Sequence, residues 1–151
     1  MDFQQLTGLS PHLTVKGGVA ALEYYKKALG AEELSRMPTP DGRVMHATMK
    51  VEGSTFFLND DFLEYCGGVS RTPSGPTPVT LHLCVKHCDA AIEKAVKAGA
   101  TVSMPATDMF WGDRYGQVTD PFGHTWSYGS PLTAEQKAAA EKAFAEQYGP
   151  K

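Results

Sequence analysis

No stretch of apolar side chains in this 151-residue sequence approaches the length of about 20 that a transmembrane helix needs, so no membrane partner is expected. The first ten residues, MDFQQLTGLS, lack the basic and apolar regions of a secretory leader, which makes the cytoplasm the expected location. Charge of one sign is scarce too. The 14 Lys and Arg stand against 17 Asp and Glu, and a net charge of −3 without a basic block argues against nucleic acid as a partner. Cysteine is limited to Cys66, Cys84 and Cys88, an odd number that forms no disulfide framework. The spacing of Cys84 and Cys88 matches no zinc or redox motif, and the three read as small buried or loop residues.

What is present suffices for one domain with an ordinary core, since 42% of the residues are apolar. Residues 9–15 alternate apolar and polar side chains as a half-buried strand does, and Gly17-Gly18 ends them. Val19, Leu22, Tyr25, Ala28 and Leu29 then share one face of a helix that Gly30 closes. Strands are expected at Glu33–Met37, Val44–Val51 and Thr55–Asn59, the last two joined by a turn at Glu52-Gly53. After a glycine- and proline-rich segment, 62–78, which reads as a linker, the pattern restarts. His12-Leu-Thr-Val-Lys16 is matched by His82-Leu-Cys-Val-Lys86, and Ala20-Ala-Leu-Glu23 by Ala90-Ala-Ile-Glu93, at a constant offset of 70. Gly30-Ala31 and Gly99-Ala100 still correspond, and the offset of 70 returns for Gly53 and Gly123, Thr55 and Thr125, Phe56 and Trp126. The single domain therefore reads as two βαβββ units, 9–61 and 79–131, followed by a tail, 132–151. In the tail Thr133-Ala-Glu-Gln136 has the form of a capping box before an alanine-rich helix, with Leu132, Phe144 and Tyr148 available to pin it to the domain or to a second subunit.

The second unit closes on a β-hairpin. Tyr115 to Thr119 and Thr125 to Tyr128 are its strands, and Asp120-Pro121-Phe122-Gly123 is the turn. Trp111-Gly-Asp-Arg114 and Asp120-Pro-Phe-Gly-His-Thr-Trp126 resemble the closing hairpin of the vicinal oxygen chelate superfamily (glyoxalase, bleomycin-resistance protein and extradiol dioxygenase), in particular its PhnB-like branch. The resemblance runs from about Leu9 to Pro131. It implies an α+β fold in which two βαβββ repeats form a cupped, mixed, mostly antiparallel sheet with helices on the outer face and a C-terminal helix beyond. It also implies a homodimer and a small-molecule ligand held in the cup.

Strand alternation sorts the side chains between the two faces. Leu9, Pro11, Leu13 and Val15, and Leu81, Leu83 and Val85, are expected under the helices, which turns His12 and His82 toward the cup from equivalent places. Phe56, Leu58, Trp126 and Tyr128 go under the helices, leaving Thr55, Phe57, Asn59, Thr125, Ser127 and Gly129 on the cup side with Tyr115 and Gln117. Trp111 and Arg114 are placed at the rim, and His46 joins the cup if Met45, Ala47 and Met49 are core. Arg114 suits an anionic group of a ligand or, equally, an ion pair with Asp108 or Asp113. Asp89 reads as the N-cap of the second helix, and His124 as a hydrogen-bonder within the turn. Ser127 has no base beside it in sequence to make it a nucleophile.

Metal-dependent members of the superfamily hold one divalent ion through His and Glu side chains on four strands. The resemblance places those four positions at Ser10, Phe57, Thr80 and Ser127, none of them a usual ligand. No cofactor is therefore expected, and the chain reads as a small-molecule-binding protein of the bleomycin-resistance type, not as a glyoxalase I. The alternative is a metal-dependent lyase, isomerase or dioxygenase whose site is rebuilt around His12 and His82 with Asn59 or His46, or a metal-free enzyme using either histidine as general base.

Overall fold

A computed structural model describes residues 8–150; most of the segment read above for a leader, residues 1–7, lies outside the described residues. Contacts divide the chain into two compact units with their boundary between Pro76 and Thr77. Each contains a four-stranded mixed sheet and a helix in βαβββ order, and a C-terminal helix follows the second.

In the first unit the elements are β1 (His12–Val15), α1 (Gly18–Leu29), β2 (Glu32–Pro38), β3 (Val44–Val51) and β4 (Ser54–Asp60), with sheet order β1-β4-β3-β2. β1 runs parallel to β4, while β2, β3 and β4 are antiparallel. Glu52 and Gly53 both have positive φ, 47° and 79°, the geometry of a two-residue hairpin turn that matches the twist of its strands. Strand β1 starts only at His12, so Leu9, expected under the helix, precedes the sheet and is fully exposed. The buried face of α1 is Gly18, Ala21, Leu22, Tyr25 and Ala28 together with Tyr24. Val19, assigned above to that face, is 46% exposed, because the helix begins one residue earlier and its stripe is set by Gly18.

Gly18 is where the sheet and helix meet. A Cβ there would lie 2.6 Å from Asp60 Oδ2 and 2.8 Å from Val44 Cβ. The buried Asp60 carboxylate uses this closeness: Oδ1 accepts from the backbone N–H of Gly17 (2.9 Å) and Gly18 (2.8 Å), and Oδ2 from that of Val44 (2.7 Å). The last residue of β4 thus caps α1 and ties it to the start of β3, with its negative charge at the positive end of the helix. Met45 departs from the expected core position. The register slips between Met37–His46 and Pro38–Val44, and this bulge leaves Met45 38% exposed while Ala47 and Met49 are fully buried.

The segment read as a linker begins inside the first unit. Phe62 is buried, the Arg43 guanidinium lies 4.2 Å from its ring centroid, and Arg43 Nη2 pairs with Glu64 at 2.6 Å across a 3-10 turn at Leu63–Tyr65.

The second unit repeats the first with β5 (Thr80–Cys84), α2 (Cys88–Ala98), β6 (Thr101–Asp108), β7 (Asp113–Thr119) and β8 (Thr125–Pro131), in sheet order β5-β8-β7-β6. Ser130, 70 residues after Asp60, accepts at Oγ from the N–H of Cys88, 70 after Gly18, at 3.2 Å. The capping device therefore recurs with a hydroxyl in place of a carboxylate. It displaces the expected N-cap: α2 starts at Cys88, and Asp89 sits inside the first turn, paired with Arg114. In the β7–β8 hairpin the buried Asp120 accepts from the N–H of Phe122 (2.8 Å), the N–H of His124 (3.0 Å) and the indole N–H of Trp126 (2.9 Å). Gly123 adopts φ 91° in the turn, so the motif that carries the resemblance is a structural lock.

Helix α3 (Ala134–Tyr148) has the capping box, with Gln136 N–H to Thr133 Oγ1 at 3.2 Å and Thr133 N–H to Gln136 Oε1 at 2.9 Å. None of its residues is buried, and it meets the unit through Phe144, whose ring lies 4.0 Å from that of Phe110. Among the described residues no helix is long and apolar enough to cross a membrane.

Candidate functional site

Each sheet has a face its helix does not cover, and both carry a depression. On the first, register aligns His12 with Phe57 and Phe57 with Thr48. The rings of His12, His46 and Phe57 cluster with centroids 5.0–5.8 Å apart. Beside them a depression of about 380 Å³ is bounded by His12, Thr14, Met45 and Asn59 from the strands and by Tyr65 and Arg71 from the following segment. Thr48, paired in register with Phe57, is fully buried, and among the described residues its hydroxyl has no partner. Burial, and secondarily the neighbouring His12, push the His46 imidazole below its usual pKa.

On the second face His82 aligns with Ser127 at the offset of 70, while Ser127 aligns with Gln117, which stands 69 residues after Thr48. Here the pair is polar. Ser127 Oγ, almost wholly buried, lies 2.8 Å from His82 Nδ1. The His82 ring stacks on Tyr115 at 5.8 Å and an interplanar angle of 18°, and the Gln117 side-chain N–H donates to the Tyr115 hydroxyl at 2.9 Å. Gly129 leaves room for the imidazole: a Cβ there would stand 2.9 Å from His82 Cε1, 3.1 Å from Nε2 and 3.5 Å from Asp113 Oδ2. The Nε2 edge and the Asp113 carboxylate thus approach one point above the Gly129 backbone. Trp111, 47% exposed, closes one side with its ring 5.5 Å from that of Tyr115. The open depression they border measures about 550 Å³, and Thr80 and Met104 complete its lining.

Of the residues selected from sequence, His82, Ser127, Tyr115, Gln117 and Trp111 come together in the second unit, and His12, Phe57 and Asn59 in the first. Arg114 does not join them. It lies on the face of Gly116 and Val118, where its guanidinium makes a two-toothed pair with Asp89 (Nε–Oδ2 2.5 Å, Nη2–Oδ1 3.0 Å) and a third bond to Asp108 (2.9 Å). These carboxylates hold it well above the usual guanidinium range and neutralise its charge on the side away from the pocket. Asp113, considered only as a partner for Arg114, stands instead on the pocket side. The signal was available, because Tyr115 and Gln117 face the pocket and strand alternation gives Asp113 the same side and Arg114 the other.

The four positions that the resemblance assigns to the superfamily metal site, Ser10, Phe57, Thr80 and Ser127, hold a poor donor set. Ser10 Oγ is 3.2 Å from Thr55 Oγ1, Phe57 presents a ring, and Ser127 is engaged with His82. Among the described residues no group of three or more His, Cys, Asp or Glu is arranged to hold a metal ion. Hydroxyls and a phenyl ring do not fit the nitrogen, sulfur or carboxylate coordination of a catalytic divalent ion.

Comparison with known proteins follows the same lines. An uncharacterized protein of Mycobacterium bovis is 48% identical over 141 residues, which cover 92% of this chain and 93% of that protein. The X-ray structure of an Arabidopsis thaliana gene product is 31% identical, with a TM-score of 0.67 over 83% of this chain and 99% of that one. A PhnB protein of Bacillus cereus, described as a putative 3-demethylubiquinone-9 3-methyltransferase, shares the fold at 17% identity and a TM-score of 0.63, over 82% of this chain and 99% of that one. The sequence model of the Glyoxalase/Bleomycin resistance protein/Dioxygenase superfamily matches residues 9–128, and with two βαβββ units, the Asp120 hairpin lock and these relatives the chain belongs to that superfamily.

Proposed function

We propose that this protein is a cytoplasmic homodimer that binds a small organic molecule on the helix-free face of its second unit, without a metal ion. The observation that carries the reading is the convergence of His82, Ser127, Tyr115, Gln117 and Trp111, from three strands and a turn, on one depression of about 550 Å³. Ring faces from Trp111, Tyr115 and His82 with directed polar groups between them are the kind of lining that a small-molecule site uses. The donor set at Ser10, Phe57, Thr80 and Ser127 supports the metal-free part.

The test is a thermal-shift screen of small aromatic and heterocyclic compounds, with hits repeated on Trp111→Ala and on Gln117→Ala, alongside elemental analysis after mild purification. Hits that weaken in both variants are the expected result, and compounds that bind both variants as well as the parent would remove the pocket from the function. Assay with the hemithioacetal of methylglyoxal and glutathione, with added Ni²⁺ or Zn²⁺, is expected to show no turnover. Near-stoichiometric metal lost in a His12→Ala, His82→Ala double variant would instead establish the metal-dependent lyase, isomerase or dioxygenase. Light scattering at micromolar concentration reads the dimer, and a monomer throughout that range would remove it.

A second reading, a metal-free enzyme, is favoured by one contact. When Nδ1–H donates to Ser127 Oγ, the lone pair of His82 is on Nε2, at the edge that overhangs Gly129, where it can take a proton from a bound molecule. Turnover by any pocket ligand that is abolished in His82→Gln with binding retained would convert the binding protein into an enzyme.

A further inference from the structure

We infer that the ligand of the second-unit pocket carries a positive charge: an amine, amidinium or quaternary ammonium group attached to an aromatic or apolar body, with Asp113 as its counter-charge. This rests on the binding reading above and gives the site a charge preference. From the sequence Arg114 suits an anionic ligand group or, equally, an ion pair. The structure has the ion pair, because Arg114 is turned to the helix side and neutralised by Asp89 and Asp108, whereas its chain neighbour Asp113 is turned into the pocket.

The pocket lining contains neither Lys nor Arg, so Asp113 supplies its fixed charge. Among the described residues the Asp113 side chain has no hydrogen bond or ion pair, while its backbone carbonyl accepts from Met109 N–H at 2.8 Å. Lys137 of α3 lies beside the turn before β7. Its aliphatic stem would touch a Cβ at Gly112 (3.6 Å), but its ammonium is turned to Glu141 at 3.7 Å. A carboxylate kept unpaired beside aromatic faces attracts a cation twice, by direct pairing and through the ring quadrupoles.

Those faces are held in advance. The turn before β7 closes through Gly112 N–H to Met109 O at 3.0 Å, with Gly112 at φ 108°, and it fixes Trp111 between Tyr115 and Phe110. Phe110 is backed by Phe144 of α3, and Phe144 by Tyr148 at 4.9 Å. A run of ring contacts thus leads from the tail helix to His82, and the indole is pre-positioned instead of being ordered by the ligand.

The experiment uses three probes of one shape, benzyltrimethylammonium, benzyl alcohol and benzoate, titrated by ligand-observed NMR against the full chain and against Asp113→Asn, at about pH 8, above the ordinary titration range of imidazole. Asp113→Asn keeps the shape of a half-buried side chain, and unchanged thermal unfolding would verify that the variant folds. The parent protein is expected to bind the ammonium probe about tenfold tighter than the alcohol, and Asp113→Asn to erase that gap without weakening the alcohol. Equal binding of all three probes, tighter binding of benzoate, or a gap that survives in Asp113→Asn would overturn the charge preference and leave the pocket intact. Failure of all three to bind, or binding unaffected by Trp111→Ala, would overturn the pocket and the charge preference together.

Discussion

Ser127 Oγ stands 2.8 Å from His82 Nδ1, on strands whose residues are paired in parallel register, and the equivalent pair in the first unit is Phe57 and His12. One repeat has therefore kept a polar cross-strand couple where the other has an aromatic one, although the backbone positions correspond. The consequence is chemical asymmetry. His12 sits in a ring cluster with His46, while His82 is oriented by a buried hydroxyl.

The first prediction concerns that hydroxyl. Ser127→Ala removes the group at Nδ1 while leaving the Tyr115 stack, so the ring is expected to lose its single tautomer. Two-dimensional ¹H–¹⁵N spectra of the imidazole should show one tautomer in the parent and a mixture in the variant, with stability lower by about 1 kcal/mol. A ring that keeps one tautomer in Ser127→Ala would show that something else orients it.

The capping carboxylate gives the second. Asp60→Ala leaves the N–H groups of Gly17, Gly18 and Val44 without their acceptor, and a loss of ~2–4 kcal/mol in urea unfolding is expected. Ser130→Ala uncovers one longer bond, at 3.2 Å, and should cost about 1 kcal/mol. Equal losses would contradict the argument that the carboxylate does more than the hydroxyl.

Much of this was legible in the chain itself. The offset of 70 that paired His12 with His82 also relates Asp60 to Ser130 and Gly18 to Cys88, although the capping role of Asp60 and Ser130 needed the structure to bring strand end and helix start together. Alternation placed Phe57, Asn59, Tyr115, Gln117 and Ser127 correctly on the helix-free faces, because each lies in an uninterrupted strand. It failed at Met45, where a bulge breaks the period, and at Leu9, beyond the strand end. Arg114 was misplaced for a different reason: β7 begins at Asp113, two residues before the strand expected from sequence, so a residue assigned to the rim is inside the alternation. Of the partners of Arg114, Asp108 on β6 is one the sequence offered, whereas Asp89 on α2 lies 25 residues away in the chain and no local pattern discloses it.

The third prediction follows from His46. Its folded pKa is depressed, mainly by burial and secondarily by His12, so the folded state binds fewer protons than the unfolded chain near pH 6. The stabilising contribution is present above the ordinary imidazole pKa and is lost as pH falls through that value toward the folded one. Unfolding free energy should accordingly drop between about pH 7 and pH 5, and His46→Gln should flatten that slope. His12→Gln should raise the His46 pKa only part of the way, because burial remains. An NMR titration in which His46 titrates at or above the free-histidine value would contradict this.

The fourth prediction uses Gly129. Adding a methyl there places it 2.9 Å from the His82 ring, within contact distance of a side chain already fixed by Ser127 and Tyr115. Gly129→Ala should displace the imidazole, destabilise the protein by ~1–3 kcal/mol and weaken any ligand of the second-unit pocket more than Ser130→Ala does. An alanine variant with native His82 shifts and undiminished binding would mean that the ring yields freely.

The fifth concerns the tail helix, none of whose residues is buried, yet whose Phe144 ring lies only 4.0 Å from Phe110. If the run of rings is what holds Trp111, then Phe144→Ala should act at a distance, freeing the indole without unfolding the sheet. The two tryptophans make this measurable. Trp126 is 3% exposed and hydrogen-bonded to Asp120, so a small quencher such as acrylamide reports chiefly on Trp111, which is 47% exposed. Phe144→Ala is expected to increase the Trp111 quenching constant and to cost only ~0.5–1.5 kcal/mol, the usual worth of one aromatic contact. Thr133→Ala weakens the same helix through its capping box, by about 1 kcal/mol, and should move the quenching in the same direction because Phe144 then spends less time on Phe110. Unaltered quenching in both variants would show that the turn at Met109–Gly112 alone positions Trp111 and that the tail makes no contribution to the pocket.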